Sequence, residues 1–455
     1  MGIGYIGEIG SMSDRMMRLG LVANGQGWHV AGWRHPSVDP ARSTTLSYYA
    51  ELARIAERGK FDFLFLADNN GVAYLDNPSA LSQMAISVHV EPVTLLGALA
   101  ALTTHLGLVA TVTTTYTEPY HVARKFAALD HLSGGRASWN VVTSANPKEA
   151  FNFSAEKHMA HGDRYQRARE FLEITFGLWD SFEDDAFAFD QKAGLYVDPA
   201  KMHYLDWRSD QFQVKGPLNS PRSPQGRPVI FQAGSSESGM ELGAETADAI
   251  FTAQESFDRA KTFYADIKGR LPKFGRGPED MLIFVGVSPI VGRTLEEAQA
   301  KYDYLQSLVS DDVGLKFLSD VMGGVDLSGL PLDEKVTTLP ATQGGQARRD
   351  LFIAKATKEG MTLRELCRFV VGGRGHRLLI GTPESVADGL QQWFEAKAAD
   401  GFLIAPAYFP EQFDDFVSLV VPELQRRGLF RKDYEGRTLR EHFGLQRPRH
   451  FAAKP

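Results

Sequence analysis

Three short stretches carry residue types and spacings that could hold a small polar ligand and act on it. The first is Gln232-Ala233-Gly234-Ser235-Ser236-Glu237-Ser238-Gly239. An apolar run ends, a glycine allows a close approach, two hydroxyls follow, and helical spacing begins. Free backbone N–H groups, the helix dipole and the hydroxyls together would make a phosphate cradle. The same pattern also fits an ordinary serine N-cap. Glu237 complements the dipole from the first turn and would repel an anion if it faced inward, so it is expected to point outward.

The second stretch runs from Gly134 to Pro147. A Gly-Gly turn feeds a run rich in β-branched and aromatic residues, which reads as a buried strand with small polar groups at its carboxyl end. Alternation sets Asn140, Val142 and Ser144 on one face and Trp139, Val141 and Thr143 on the other. A buried Asn is costly unless something bonds it. Either neighbouring backbone satisfies Asn140, or it meets a polar ligand, with Ser144 at the mouth of that site. The third stretch is His161-Gly162-Asp163-Arg164-Tyr165. His161 and Tyr165 are four apart and share a face if helical. Tyr can bond a phosphate or stack on a ring, and His can donate to an oxyanion. A helix start with a half-buried Tyr is the alternative.

Three further histidines fall in loops. His29 follows the first apolar run, His89 with Glu91 follows the second, and His376 sits in the Gly-rich turn Gly372 to Arg377. None of the 12 histidines shows HxH or HExxH spacing, so a metal site would need scattered ligands. The one cysteine, Cys367, rules out an internal disulfide framework and a multi-cysteine zinc site. It fits a reducing, cytoplasmic setting. A net charge of −7 without long charged runs suggests neither a nucleic-acid nor a membrane-surface partner. No apolar stretch is long enough for a bilayer and no leader pattern opens the chain. Residues 1–17 read as a tag or disordered segment, with Met12 a candidate natural start.

The elements that must position these residues alternate. Strands are expected at 18–24, 61–68, 106–113, 137–143, 228–233, 249–251, 281–287 and 402–405. Helices are expected at 46–60, 92–102, 119–132, 162–180, 237–246, 257–269, 295–308, 383–399 and 412–428. Residues 182–226 and 310–375 read as insertions, and 429–455 as a surface-wrapping tail. Eight near-continuous apolar strands, with helices following them in turn, predict an α/β fold, a (β/α)8 TIM barrel in one domain. No GxGxxG follows the first strand, which weakens a dinucleotide-binding reading. In such a barrel the site lies at the carboxyl ends of the strands. Those ends offer Asp68, Thr113-Thr114-Thr115, Thr143-Ser144, Gly234-Ser235-Ser236 and Thr252.

A set of ordered motifs goes further. They are Trp33-Arg34-His35-Pro36, Glu57 to Asp62, Leu66-Ala67-Asp68, Thr114-Thr115-Tyr116 with Glu118-Pro119-Tyr120, and Leu129 through Ser144. His161 to Tyr165, Gly177 to Asp180, Gln232 to Glu237, Gly381 to Glu384 and Val421 to Gly428 complete them. Together they span residues 18–445. This pattern resembles the nitrilotriacetate monooxygenase component A and dibenzothiophene-sulfone monooxygenase branch of the bacterial luciferase-like flavin monooxygenases.

The resemblance implies a barrel that binds FMN at its carboxyl face. Reduced FMN would come from a separate NAD(P)H:flavin oxidoreductase. Dioxygen would add to it, and the resulting flavin hydroperoxide would oxygenate a small organic substrate. On this likeness Asp68 and Thr114 sit by the flavin ring. Asn140, His161 and Tyr165 hold the ring edge, ribityl chain or phosphate, while Gly234, Ser235 and Ser236 take the phosphate. Ser144 is the leading candidate for substrate chemistry, with His29 and His376 for bonding the peroxide or handling protons. A reactive flavin needs water excluded, which makes 310–375 the expected lid. Some relatives are thought to use a lid His; residues 310–375 hold none. Relatives are usually oligomeric, so a homodimer or homotetramer is expected. Alternatives are a deazaflavin-dependent dehydrogenase of the same superfamily, a non-catalytic flavin-binding protein and a metal-dependent barrel hydrolase.

Overall fold

Short runs of β-branched, aliphatic and aromatic residues become strands here because each is covered on both faces. The computed structural model describes residues 15–72, 75, 77–85, 88–144, 146–341 and 346–452. Its strands are β1 Arg18–Val22, β2 Phe63–Leu66, β3 Gly107–Thr113, β4 Ala137–Val142, β5 Trp207–Arg208 and β6 Gln213–Val214, followed by β7 Val229–Gln232, β8 Ala249–Thr252, β9 Leu282–Val291, β10 Arg377–Gly381 and β11 Gly401–Ile404.

Parallel pairing in the order β1-β2-β3-β4-β7-β8-β9-β11 and back to β1 closes an eight-stranded barrel. All eight barrel strands fall where hydrophobic patterning set them. β10 was not anticipated. The lower half of β9 pairs with β11 and its upper half, Val287 to Val291, pairs with β10, so β10 extends the wall above the barrel. The outer helices include Pro119–Ser133, His161–Trp179 and Glu237–Thr246. Between them and the sheet lies the main core, where Trp139 of β4 packs on Phe126, Phe171 and Trp179.

The barrel interior is filled low down by Phe63, Phe231 and Phe284, with ring centroids 5.0 Å apart for Phe63 to each of the others. Phe443, from the tail helix Leu439–Phe443, packs under them. The tail therefore plugs the base of the barrel instead of wrapping its surface. Arg440 bonds both oxygens of Asp248 at 2.9 Å, and Arg431 pairs with Asp62. Scattered charges in a terminal segment look solvated in sequence; pairing across more than a hundred residues is invisible there.

Over the opposite end sits the second insertion. Its helices Asp311–Val321, Gln346–Glu359 and Leu363–Gly373 enclose a small core of their own, including Phe317, Leu318, Phe352 and Leu366. Val30, Ala80 and Met84, from the loops after β1 and β2, complete it. Among the described residues no helix is long and apolar enough to cross a membrane. Residues 1–14, including Met12, lie outside the described residues.

Candidate active site

The site grows from β3 and β4, which run side by side with Thr111 opposite Asn140 and Thr113 opposite Val142. Asn140 Nδ2 donates to Thr111 Oγ1 at 2.9 Å. Its Oδ1 is buried with no partner. Such an orphan is costly inside a protein and points to a missing partner. Just past β4, Ser144 takes a left-handed backbone, φ +50°, uncommon for any residue but glycine. Its Oγ lies 2.9 Å from Thr113 Oγ1 and 2.8 Å from Glu149 Oε2. Glu149 is buried and also accepts the Asn70 backbone N–H at 3.2 Å.

These groups face a cavity of about 840 Å³. Asp68, Asn70, Thr111, Thr113, Ser144 and Glu149 line it from the strand ends, while Lys316 and Asp320 reach it from the 310–375 insertion. Burial, reinforced by the charges of Glu91 and Glu149, pushes the Asp68 carboxyl up to about 7. A second cavity of about 200 Å³ shares Val142 and Ser144 with the first and extends to Tyr165, Gln232 and Gly234.

At the far end of that second cavity two glycines touch. A Cβ on Gly234 would stand 2.7 Å from Gly239 Cα and 3.3 Å from the Tyr165 hydroxyl. The turn thus packs directly on the start of the helix Glu237–Thr246, with the Tyr165 hydroxyl against both glycines and Gly234 facing the cavity. Ser236 caps that helix, accepting the Gly239 N–H at 3.2 Å. Ser235 is exposed, and neither serine lines a cavity. Glu237 points outward as expected, held by Arg270 at 2.6 and 2.9 Å.

The structure gathers Asp68, Ser144, Tyr165 and Gly234 around these two cavities, with Asn140 on the strand below. His161 is exposed with its ring 4.8 Å from that of Tyr165. Thr114 is wholly buried behind the wall, where its carbonyl accepts from Arg167 Nε at 3.0 Å. His29 and His376 line neither cavity. Burial and the nearby Arg374 push His29 down to about 3, so at neutral pH it is an uncharged ring. Its Nδ1 accepts the Ala31 N–H at 3.2 Å, which leaves Nε2 as the N–H donor. His376 fills the space left by Gly286 of β9, its ring 4.7 Å from that of Trp28. The Gly372–Arg377 turn is tied down: Trp28 Nε1 donates to the Gly373 carbonyl at 3.1 Å, and Arg374 lies over the Trp28 ring at 4.0 Å. Among the described residues no group of three or more His, Cys, Asp or Glu could hold a metal ion.

The family model described as luciferase-like monooxygenase matches residues 10–400. The chain belongs to the luciferase-like monooxygenase family. It is 50% identical over 450 residues to nitrilotriacetate monooxygenase component A of Aminobacter aminovorans, covering 97% of this chain and 99% of that one. It is also 43% identical over 448 residues to dibenzothiophene-sulfone monooxygenase of Rhodococcus erythropolis (strain XP), covering 96% and 98%. A solved riboflavin lyase with modified FMN and riboflavin superposes with a TM-score of 0.84 at 32% identity, covering 95% of this chain and 97% of that one. This luciferase-like protein is thus a monooxygenase with the family's closed parallel barrel.

Reading the sequence offered Thr113 among the polar strand ends but did not nominate Glu149 or a role for Gly239. Glu149 stands five residues after Ser144 in a polar loop, where a lone carboxylate looks solvated. Gly239 was inside the quoted serine stretch, and its spacing from Gly234, one turn into the helix, was the available signal.

Proposed function

We propose that this chain is the oxygenase component of a two-component FMN-dependent monooxygenase. Its partner is an NAD(P)H:flavin oxidoreductase in the same cytoplasmic compartment. Reduced FMN supplies the electrons that activate dioxygen for insertion into a small organic substrate. The observation that carries this reading is the pair of cavities meeting at Ser144. One ends at Gly234 and Tyr165 beside a helix start, suited to a phosphate. The other is large enough for a ring system and a substrate together. The orphaned Asn140 Oδ1 below them fits a group that brings its own donor.

In this reading the Gly234–Gly239 surface, the Tyr165 hydroxyl and the helix start at Ser236 hold the phosphate. Asp68, with its pKa raised to about 7, holds or yields a proton near neutral pH at the wall of the larger cavity. Lys316 and Asp320 belong to a lid that excludes water while reactive oxygen is present. Thr114 shapes the wall from behind, and His29 and His376 brace the mouth.

The test is dioxygen uptake by the purified protein with a flavin reductase, NADH and FMN, across a panel of sulfur and nitrogen compounds. Substrate-dependent uptake with oxygenated product is expected. A protein that oxidises substrates without consuming dioxygen would be a dehydrogenase and would contradict this reading.

A further inference from the structure

The Ser144 hydroxyl has one proton, and both of its acceptors belong to the protein. Ser144 Oγ lies 2.8 Å from Glu149 Oε2 and 2.9 Å from Thr113 Oγ1. The Ser144 hydroxyl donates to Glu149 Oε2. Thr113 Oγ1 is a second acceptor for the Ser144 hydroxyl and also accepts the Thr115 N–H at 3.1 Å. Glu149 is held in this role by the Asn70 backbone N–H at 3.2 Å. What Ser144 Oγ has left is a lone pair and no proton. Ser144 lines both cavities where they meet. A second acceptor without a donor, Asn140 Oδ1, lies four residues earlier, on β4.

We propose that Ser144 is a fixed hydrogen-bond acceptor, locked in that sense by Glu149, and that it selects a ligand presenting an N–H where the two cavities meet. The inference rests on the flavin reading above and adds the donor–acceptor sense of the site. Ser144 touches the ligand; Glu149 is a positioning residue that acts through it. An N–H can come from two sources. The ring of reduced flavin carries N–H groups where the oxidised ring carries lone pairs, and a substrate amine carries its own. A mismatched pair of acceptors repels, so the same geometry disfavours a lone pair at that position.

The experiment measures dissociation constants for oxidised FMN and, without oxygen, for reduced FMN. Wild type is compared with Ser144→Ala, Glu149→Gln and Glu149→Leu, with folding checked by circular dichroism. A second arm compares binding of iminodiacetate and its carbon isostere glutarate to the FMN-loaded protein. If the flavin supplies the N–H, wild type prefers reduced FMN, and Ser144→Ala lowers that preference by about fivefold or more. Glu149→Leu leaves Thr113 Oγ1 as the remaining acceptor of the serine proton and lowers the preference less than Ser144→Ala does. Glu149→Gln retains the preference, because the amide oxygen still accepts. If the substrate supplies the N–H, the flavin ratio is unchanged, while a wild-type preference for iminodiacetate over glutarate is lost in Ser144→Ala. Either pattern supports the proposal. Should Ser144→Ala leave both preferences as in wild type, the proposal falls and the flavin reading stands. Wild-type protein that binds neither form of FMN overturns the flavin reading, and this inference with it.

Discussion

The two ends of the barrel bury polar groups to opposite effect. At the base, Arg136 uses all five of its donors, on Ser133 O, Thr103 Oγ1, Leu106 O, Ala100 O and Thr103 O, at 2.7–3.0 Å. Asp130 takes the Ala137 N–H at 3.0 Å and Gln225 Nε2 at 2.6 Å, with the Ser223 hydroxyl also on it. Arg440 and Asp248 form a two-pronged buried pair. The closure is not complete: Arg431 Nε and Arg440 Nε are buried there without a partner, and burial and Arg431 push His442 down to about 4. At the mouth, Asn140 Oδ1 and His29 Nε2 have no partners and Asp68 is held partly protonated. Most polar groups at the base are paired across the barrel, whereas Asp68 and Asn140 at the mouth keep capacity for a further group beside the two cavities. Stability given up at one end is the usual accompaniment of a binding site.

Substitutions at the two ends should therefore differ in kind. The largest effect is expected at the base. Asp248→Ala strands the Arg440 cation in a buried setting and should cost about 3–5 kcal/mol in denaturant unfolding, with FMN affinity of the folded fraction unchanged. At the mouth, Tyr165→Phe removes a hydroxyl proposed to bond the phosphate. FMN binding should weaken by about 1.5–3 kcal/mol, while stability moves by less than about 0.5 kcal/mol. A large stability loss there, or unchanged FMN affinity, would erase the contrast.

A pH series sharpens it. The folded-state pKa of Asp68 is raised above its ordinary value, so its contribution to stability is present at low pH and is lost as pH rises through about 7. Asp68→Asn should melt like wild type near pH 4 and at a higher temperature than wild type above pH 7. The reverse trend would place Asp68 in a favourable charged environment instead. The smallest effect is expected from Glu237→Gln. Its pair with Arg270 is on the surface and screened by solvent, so the melting temperature and FMN affinity should both stay as in wild type.

Much of this was legible before any coordinates. Near-continuous apolar strands with helices between them specify a covered parallel barrel, because that patterning has few other solutions. The Gly234 turn and Ser144 could be singled out because local residue type and spacing carry their meaning. Glu149 could not, since its burial depends on loops after β2 and β4 meeting over the same cavity. The tail was misjudged for the same reason: Arg440 meets Asp248 from 192 residues away. Ser235 was legible as a pattern, yet the structure leaves it exposed while Gly239 and Tyr165 form the surface that the pattern suggested.

A crystal structure of the protein soaked with FMN decides whether the mouth is a flavin site. The phosphate is expected on the Gly234–Gly239 surface beneath the Tyr165 hydroxyl, with the ring in the larger cavity beside Asp68 and Ser144. Density for FMN anywhere else, or a phosphate outside that cradle with the larger cavity empty, would contradict it.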